Sequence, residues 1–82
     1  MNWYLYIVEC TDGSLYTGIT TDINRRVQEH NNIIGAKAVR GKLPVKLVYF
    51  EKHINQVIAA KREREIKKWR KEKKLSLIQG LP

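Results

Sequence analysis

Two tyrosines, an arginine and a histidine stand close together near the start of the chain. Tyr6 and Tyr16 lie ten residues apart in two short apolar runs joined by a turn, and Arg26 and His30 follow within a helix signal. A guanidinium grips an oxyanion through two parallel N–H donors, while phenol and imidazole groups carry protons. Carboxylates recur on a second helical stretch nearer the C-terminus, Glu63 among them. The anion such a set would meet is suggested by charge. Sixteen Lys and Arg against eight Asp and Glu give a formal net charge of +8, which in so short a chain favours a polyanionic partner such as nucleic acid.

Several other chemistries find no support. There is no zinc signature, P-loop, nucleophile elbow or Cys/His pair. The single Cys10 has no partner for an internal disulfide, so the fold must rest on its apolar core and a reducing compartment is expected. No apolar run is long enough to span a bilayer, and the N-terminus lacks the basic start and apolar stretch of a signal peptide. A soluble cytoplasmic monomer is the expectation.

The elements that must position these residues can be read in order. Trp3 to Cys10 is rich in β-branched and aromatic residues and too short for an amphipathic helix, so it reads as a largely buried strand. Thr11, Asp12, Gly13 and Ser14 signal a hairpin turn, and Leu15 to Thr20 is the returning strand. Thr21 and Asp22 are good N-caps ahead of the apolar pair Ile23 and Val27, which predicts a helix to about Asn31. On that helix Arg26 and His30 stack beside the apolar stripe, whereas Arg25 points to water. Asn32 to Pro44 reads as a basic loop with at most a short helical turn, and Val45 to Phe50 as a third strand extendable through His53. A helix from about Asn55 to Lys71 buries Ala59, Ile66 and Trp69, with Ile58 at the edge. Arg62 falls in the middle of that apolar side and reads as a snorkelling side chain. Leu75 to Pro82 is a short final helix or turn ended by Gly80 and Pro82. The sum is one small α+β domain over residues 1–82, a three-stranded antiparallel sheet flanked by helices in the order β-β-α-β-α.

At this point the chain resembles the GIY-YIG nuclease family, in particular its short stand-alone bacterial members. The first motif stands here as Tyr4-Leu5-Tyr6 and the second as Tyr16-Thr17-Gly18, so Tyr4, Leu5 and Thr17 depart from the literal letters. The family's helical arginine and histidine match Arg26 and His30, and its metal-binding glutamate matches Glu63 in the run Glu63-Arg64-Glu65-Ile66-Lys67-Lys68-Trp69. The similarity extends through the loop from Gly35-Ala36-Lys37-Ala38 to Gly41-Lys42.

The resemblance implies metal-dependent cleavage of a nucleic-acid phosphodiester, with DNA favoured and little sequence specificity. Glu63 would hold one Mg²⁺ or Mn²⁺, with water and phosphate completing the shell. Arg26 would clamp the scissile phosphate, Tyr6 or Tyr16 would act as general base or orient the water, and His30 would share proton transfer or hold a tyrosine hydroxyl. Gly18 would leave room for a close approach of helix or phosphate. Lys37, Arg40 and Lys42 would contact flanking phosphates, unless they are only a solvated basic loop. Lys61, Lys67, Lys68, Arg70 and Lys71 read as a solvated face.

Hairpin register offers a structural test. A two-residue loop would put Tyr6 and Tyr16 on opposite faces of the sheet, whereas an odd loop puts them on one face. A three-residue loop with Tyr16 opposite Cys10, Tyr6 opposite Thr20 and a bulge at Gly13 is expected. Two further readings stay open beside the nuclease: a nucleic-acid-binding module on the same fold whose cleavage is weak, lost or dependent on a protein partner that recruits substrate, and a basic surface for a protein or anionic lipid.

Overall fold

A computed structural model describes residues 1–32, 34 and 36–80; Gly35 of the basic loop and Pro82 of the C-terminal stop signal lie outside them. Strands β1 (Trp3–Glu9), β2 (Leu15–Thr20) and β3 (Lys46–His53) form an antiparallel sheet in the order β2-β1-β3. The first strand is therefore central, which explains why its apolar run is continuous rather than alternating. Leu5, Tyr6, Ile7 and Val8 are all buried, alternate ones facing opposite layers.

Helix α1 (Ile23–Asn31) begins at Asp22, whose carboxylate accepts from the Arg25 amide, and a 3₁₀ turn spans Lys37–Lys42. Both pack on the sheet face bearing Tyr6, where Tyr6, Val8, Cys10, Val39 and Val45 form one core cluster. Opposite them, Leu5, Ile7 and Ile66 form a second cluster with Leu15, Ile19, Tyr49, Trp69 and Leu77 around it, beneath α2 (Gln56–Lys67) and α3 (Lys71–Ile78). Among the described residues no helix is long and apolar enough to cross a membrane.

Two expectations need correction. The turn is an odd loop with Gly13 in the left-handed region (φ 84°), as expected, but it closes one pair earlier: Cys10 N–H donates to Ser14 O at 2.8 Å, and Gly13 N–H to Cys10 O at 3.0 Å. Asp12 explains the choice, because its Oδ1 accepts from both the amide and the hydroxyl of Ser14 and so locks the loop at Thr11 to Gly13. Tyr6 consequently pairs with Gly18 and Tyr16 with Val8, a shift of two that keeps both tyrosines on one face.

The second correction concerns the long helix, which stops at Lys67 rather than Lys71. Arg70 is extended and α3 starts directly after it. Neither Gly nor Pro marks this break. Trp69, Leu77 and Ile78 all pack on the Leu5/Ile7/Ile66 cluster, which requires the chain to fold back. Ile58 is 41% exposed and lies outside the core, whereas Ala59 and Ile66 are buried as expected.

Candidate active site

Tyr6 lies across Gly18, its partner on β2. A Cβ at Gly18 would come within 2.5 Å of the Tyr6 hydroxyl and 2.7 Å of Cζ, so the missing side chain makes room for the ring itself, not for the helix or a phosphate. This packing carries the Tyr6 hydroxyl over β2 toward α1, where Oη sits 2.9 Å from His30 Nε2. The Tyr6 and His30 ring centroids are 5.9 Å apart, those of Tyr16 and His30 5.5 Å, and those of the two tyrosines 6.4 Å. Three rings from three elements thus pack as a triangle.

The protonation of His30 follows from its second partner. Its Nδ1 accepts the Ala36 N–H at 3.2 Å, which leaves the ring proton on Nε2 in the neutral form. His30 therefore donates to Tyr6 Oη, and the tyrosine's own proton must point away from the histidine. Burial, followed by the positive charge of Arg26, holds the fully buried imidazole below its usual pKa of 6.5. Of the two roles open to His30, the geometry supports holding the tyrosine hydroxyl.

Tyr6 itself is pushed up to about 12. Burial is the largest cause; the adjacent Arg26 works in the opposite direction, and the negative charges of Tyr16 and Glu63 add to the rise. Arg26, one turn before His30, thus reaches the Tyr6 hydroxyl while its Nη1 donates to Glu29 Oε1 at 2.9 Å. Arg25 lies outward, 3.7 Å from the other Glu29 oxygen, as the helix spacing requires.

Glu63 arrives from the other face. Because β2 is an outer strand, side chains of α2 can pass its edge, and Glu63 is close enough to Tyr6 to act on its charge. Its carboxylate is 3.2 Å from Lys67 Nζ, and that ammonium is also 5.8 Å from the Tyr16 ring centroid. Lys67 was expected on a solvated face. Its helical spacing from Glu63 was visible in the sequence, but the approach to Tyr16 depends on how α2 crosses the sheet.

The basic loop divides. Lys37 and Arg40 are exposed, whereas Lys42 is tied to the hairpin through Asp12 at 3.6 Å and Ser14 at 3.4 Å. Buried Val39 belongs to the Tyr6 core cluster, so the turn carrying these cations is anchored to the site. As for a metal, no cluster of three His, Cys, Asp or Glu exists among the described residues. The partly exposed Glu63 carboxylate is a hard oxygen donor that suits Mg²⁺ or Mn²⁺ as a single protein ligand, with water and phosphate filling the shell.

An α+β layer with this tyrosine, arginine, histidine and glutamate set defines a class. The chain matches the GIY-YIG catalytic domain over residues 2–76 and belongs to that family. Among its relatives, a UPF0213 protein of Haloquadratum walsbyi is 55% identical over 76 residues, 93% of this chain and 85% of the relative. One of Staphylococcus epidermidis is 50% identical over 93% of each chain. The solution structure of a UPF0213 protein from Bacillus halodurans superposes with a TM-score of 0.62 at 43% identity, covering 96% of this chain and 84% of that one. A solution structure from E. faecalis gives 0.63 at 39% identity, over 94% and 83% of the two chains.

Proposed function

We propose that this protein is a divalent-metal-dependent endonuclease that hydrolyses phosphodiester bonds in DNA with little sequence specificity. The observation that supports it best is the placing of Tyr6 Oη 2.9 Å from His30 Nε2, with Arg26 and the Glu63 carboxylate near enough to act on its charge. In this reading Arg26 exchanges Glu29 for the scissile phosphate and grips it through two N–H groups. Tyr6 orients the attacking water through its hydroxyl, which His30 holds in place by donating to its oxygen. Tyr16 closes the pocket against His30 and Tyr6. When bound at Glu63, Mg²⁺ or Mn²⁺ supplies neutralisation of the phosphate and leaving-group oxygens. Lys37 and Arg40 contact flanking phosphates, which positions DNA without reading its sequence. The protein acts as a cytoplasmic monomer.

A second reading has its own observation. The two charged groups of the site are engaged internally, Arg26 with Glu29 and Glu63 with Lys67, and the Tyr6 phenol is firmly neutral. Such a site suits a nucleic-acid-binding module whose cleavage waits on a protein partner that delivers the substrate. End-labelled duplex, single-stranded and branched DNA, incubated with Mg²⁺ or Mn²⁺ and wild type, Arg26→Ala or Glu63→Gln, separate the two. Cuts that vanish in both variants support the nuclease; binding without cuts in wild type favours the module. Cuts that survive both substitutions would falsify the assignment of the site.

A further inference from the structure

Lys67 differs from Lys61, the other lysine of α2, in having two partners at the site. Its Nζ lies 3.2 Å from Glu63 Oε2 and 5.8 Å from the centre of the Tyr16 ring, so one ammonium joins the carboxylate from α2 to the tyrosine from β2. Half of its side chain remains in solvent. Lysine suits an exchangeable contact, because a compact ammonium on a flexible stem can be re-aimed and all three of its hydrogens donate.

A divalent cation on Glu63 would add a second positive centre within a few ångströms of this ammonium, where the partly buried surroundings screen poorly. The two cations repel and so compete for the carboxylate. An ammonium released from Glu63 lies beside Tyr16, at the mouth of the tyrosine pair, where a phosphate oxygen of bound nucleic acid would be the strongest available acceptor. Arg26 and Glu29 show a parallel arrangement on the opposite side of the pocket, again a functional group held by a neighbour one turn away.

We infer that Lys67 is the resident counter-ion of the site: it holds Glu63 in the substrate-free protein, is displaced by the divalent cation, and then contacts a phosphate beside Tyr16. This inference rests on the nuclease reading. Lys67 thereby lowers metal affinity before substrate arrives and raises affinity for nucleic acid once metal is bound.

The test measures binding rather than turnover. Mn²⁺ binding to the full chain is followed by electron paramagnetic resonance for wild type, Lys67→Met, Lys67→Gln, Lys68→Met and Glu63→Gln. Both Lys67 variants should bind Mn²⁺ about two- to tenfold more tightly than wild type, as expected for removing one close charge. Lys68→Met should match wild type, and Glu63→Gln should lose the site. Anisotropy of a labelled duplex oligonucleotide, with Ca²⁺ and with EDTA, supplies the second half. Lys67→Met should weaken binding several-fold more with Ca²⁺ than without. Equal or weaker Mn²⁺ binding in the Lys67 variants, or the same loss with and without Ca²⁺, overturns the role given to Lys67. Should Glu63→Gln bind Mn²⁺ as wild type does, the metal site itself is wrong and the nuclease reading falls with it.

Discussion

The two faces of the sheet carry nearly the same residue types in two different conditions. Facing α1 are Tyr6, Tyr16, His30 and Arg26; facing α2 are Tyr49, His53, Glu51 and Arg62. On the α2 face everything points at one carboxylate. Glu51 accepts from the Tyr49 hydroxyl, lies 2.9 Å from His53 Nε2, and takes both a 3.1 Å and a 3.0 Å contact from Arg62, which also stacks 5.2 Å from the Trp69 ring centre. The donors and the acceptor are used up on each other. This explains the arginine in the middle of an apolar helix side: it neither snorkels nor intrudes, but ties α2 to β3.

On the α1 face the charges are held in separate pairs instead. His30 is locked between Ala36 and buried Tyr6, Arg26 is held by Glu29 and Glu63 by Lys67, and both Arg26 and Glu63 keep part of their side chains in solvent. Both tyrosines, Tyr6 and Tyr49, are pushed up to about 12, so a raised phenol does not distinguish the faces. What distinguishes them is how the charges are paired: on the α2 face the donors share one carboxylate, whereas Arg26 and Glu63 are each held by a single neighbour about one turn away that a ligand could replace.

Substitutions can break or sharpen this contrast. The largest effect belongs to the α1 face: Arg26→Ala or Glu63→Gln should lower cleavage about a hundredfold or more while leaving melting temperature nearly unchanged. Glu51→Gln, on the other face, should do the reverse. Next comes Gly18→Ala, whose methyl group would collide with the Tyr6 hydroxyl. It should cost about 1–3 kcal/mol in chemical denaturation and remove cleavage by displacing the ring; a fully active, equally stable variant would mean that the Tyr6 position does not matter. Glu51→Gln should destabilise by about 1–3 kcal/mol, because Arg62 then loses its two-pronged carboxylate partner and keeps only the longer contact to Glu65, and should leave Mn²⁺ binding intact.

Smaller effects test the edges. Removing either Lys37 or Arg40 should reduce the slope of log affinity for DNA against log salt by about one, with the same weakening on any sequence. The pH dependence has two limbs. His30 is held below 6.5, so its contribution to stability is complete above that value and is lost as pH falls through its lowered folded pKa. Tyr6 and Tyr49 are raised above 10, so their contribution is complete below pH 10 and is lost as pH rises toward 12. Thermal melts of wild type and Tyr49→Phe across pH 5 to 11.5 would separate the second limb by face.

Local patterns carried much of this protein's fold and site. The three strands, the Asp22 cap, the odd hairpin, the two tyrosines of the hairpin and the pairing of Arg26 with His30 on one side of a helix could all be read from residue type and short spacings, because each depends on neighbours within a turn or a strand pair, whereas Glu63 was singled out among the carboxylates of its helix only by the family resemblance. The remainder depended on residues far apart in the chain. Burial of Trp69 and Leu77 split the last helix, Glu51 claimed Arg62, and the crossing of α2 over the outer strand brought Lys67 to Tyr16. No periodicity encodes such contacts; they exist only once the layers have packed and each polar group has taken the partner that burial left within reach.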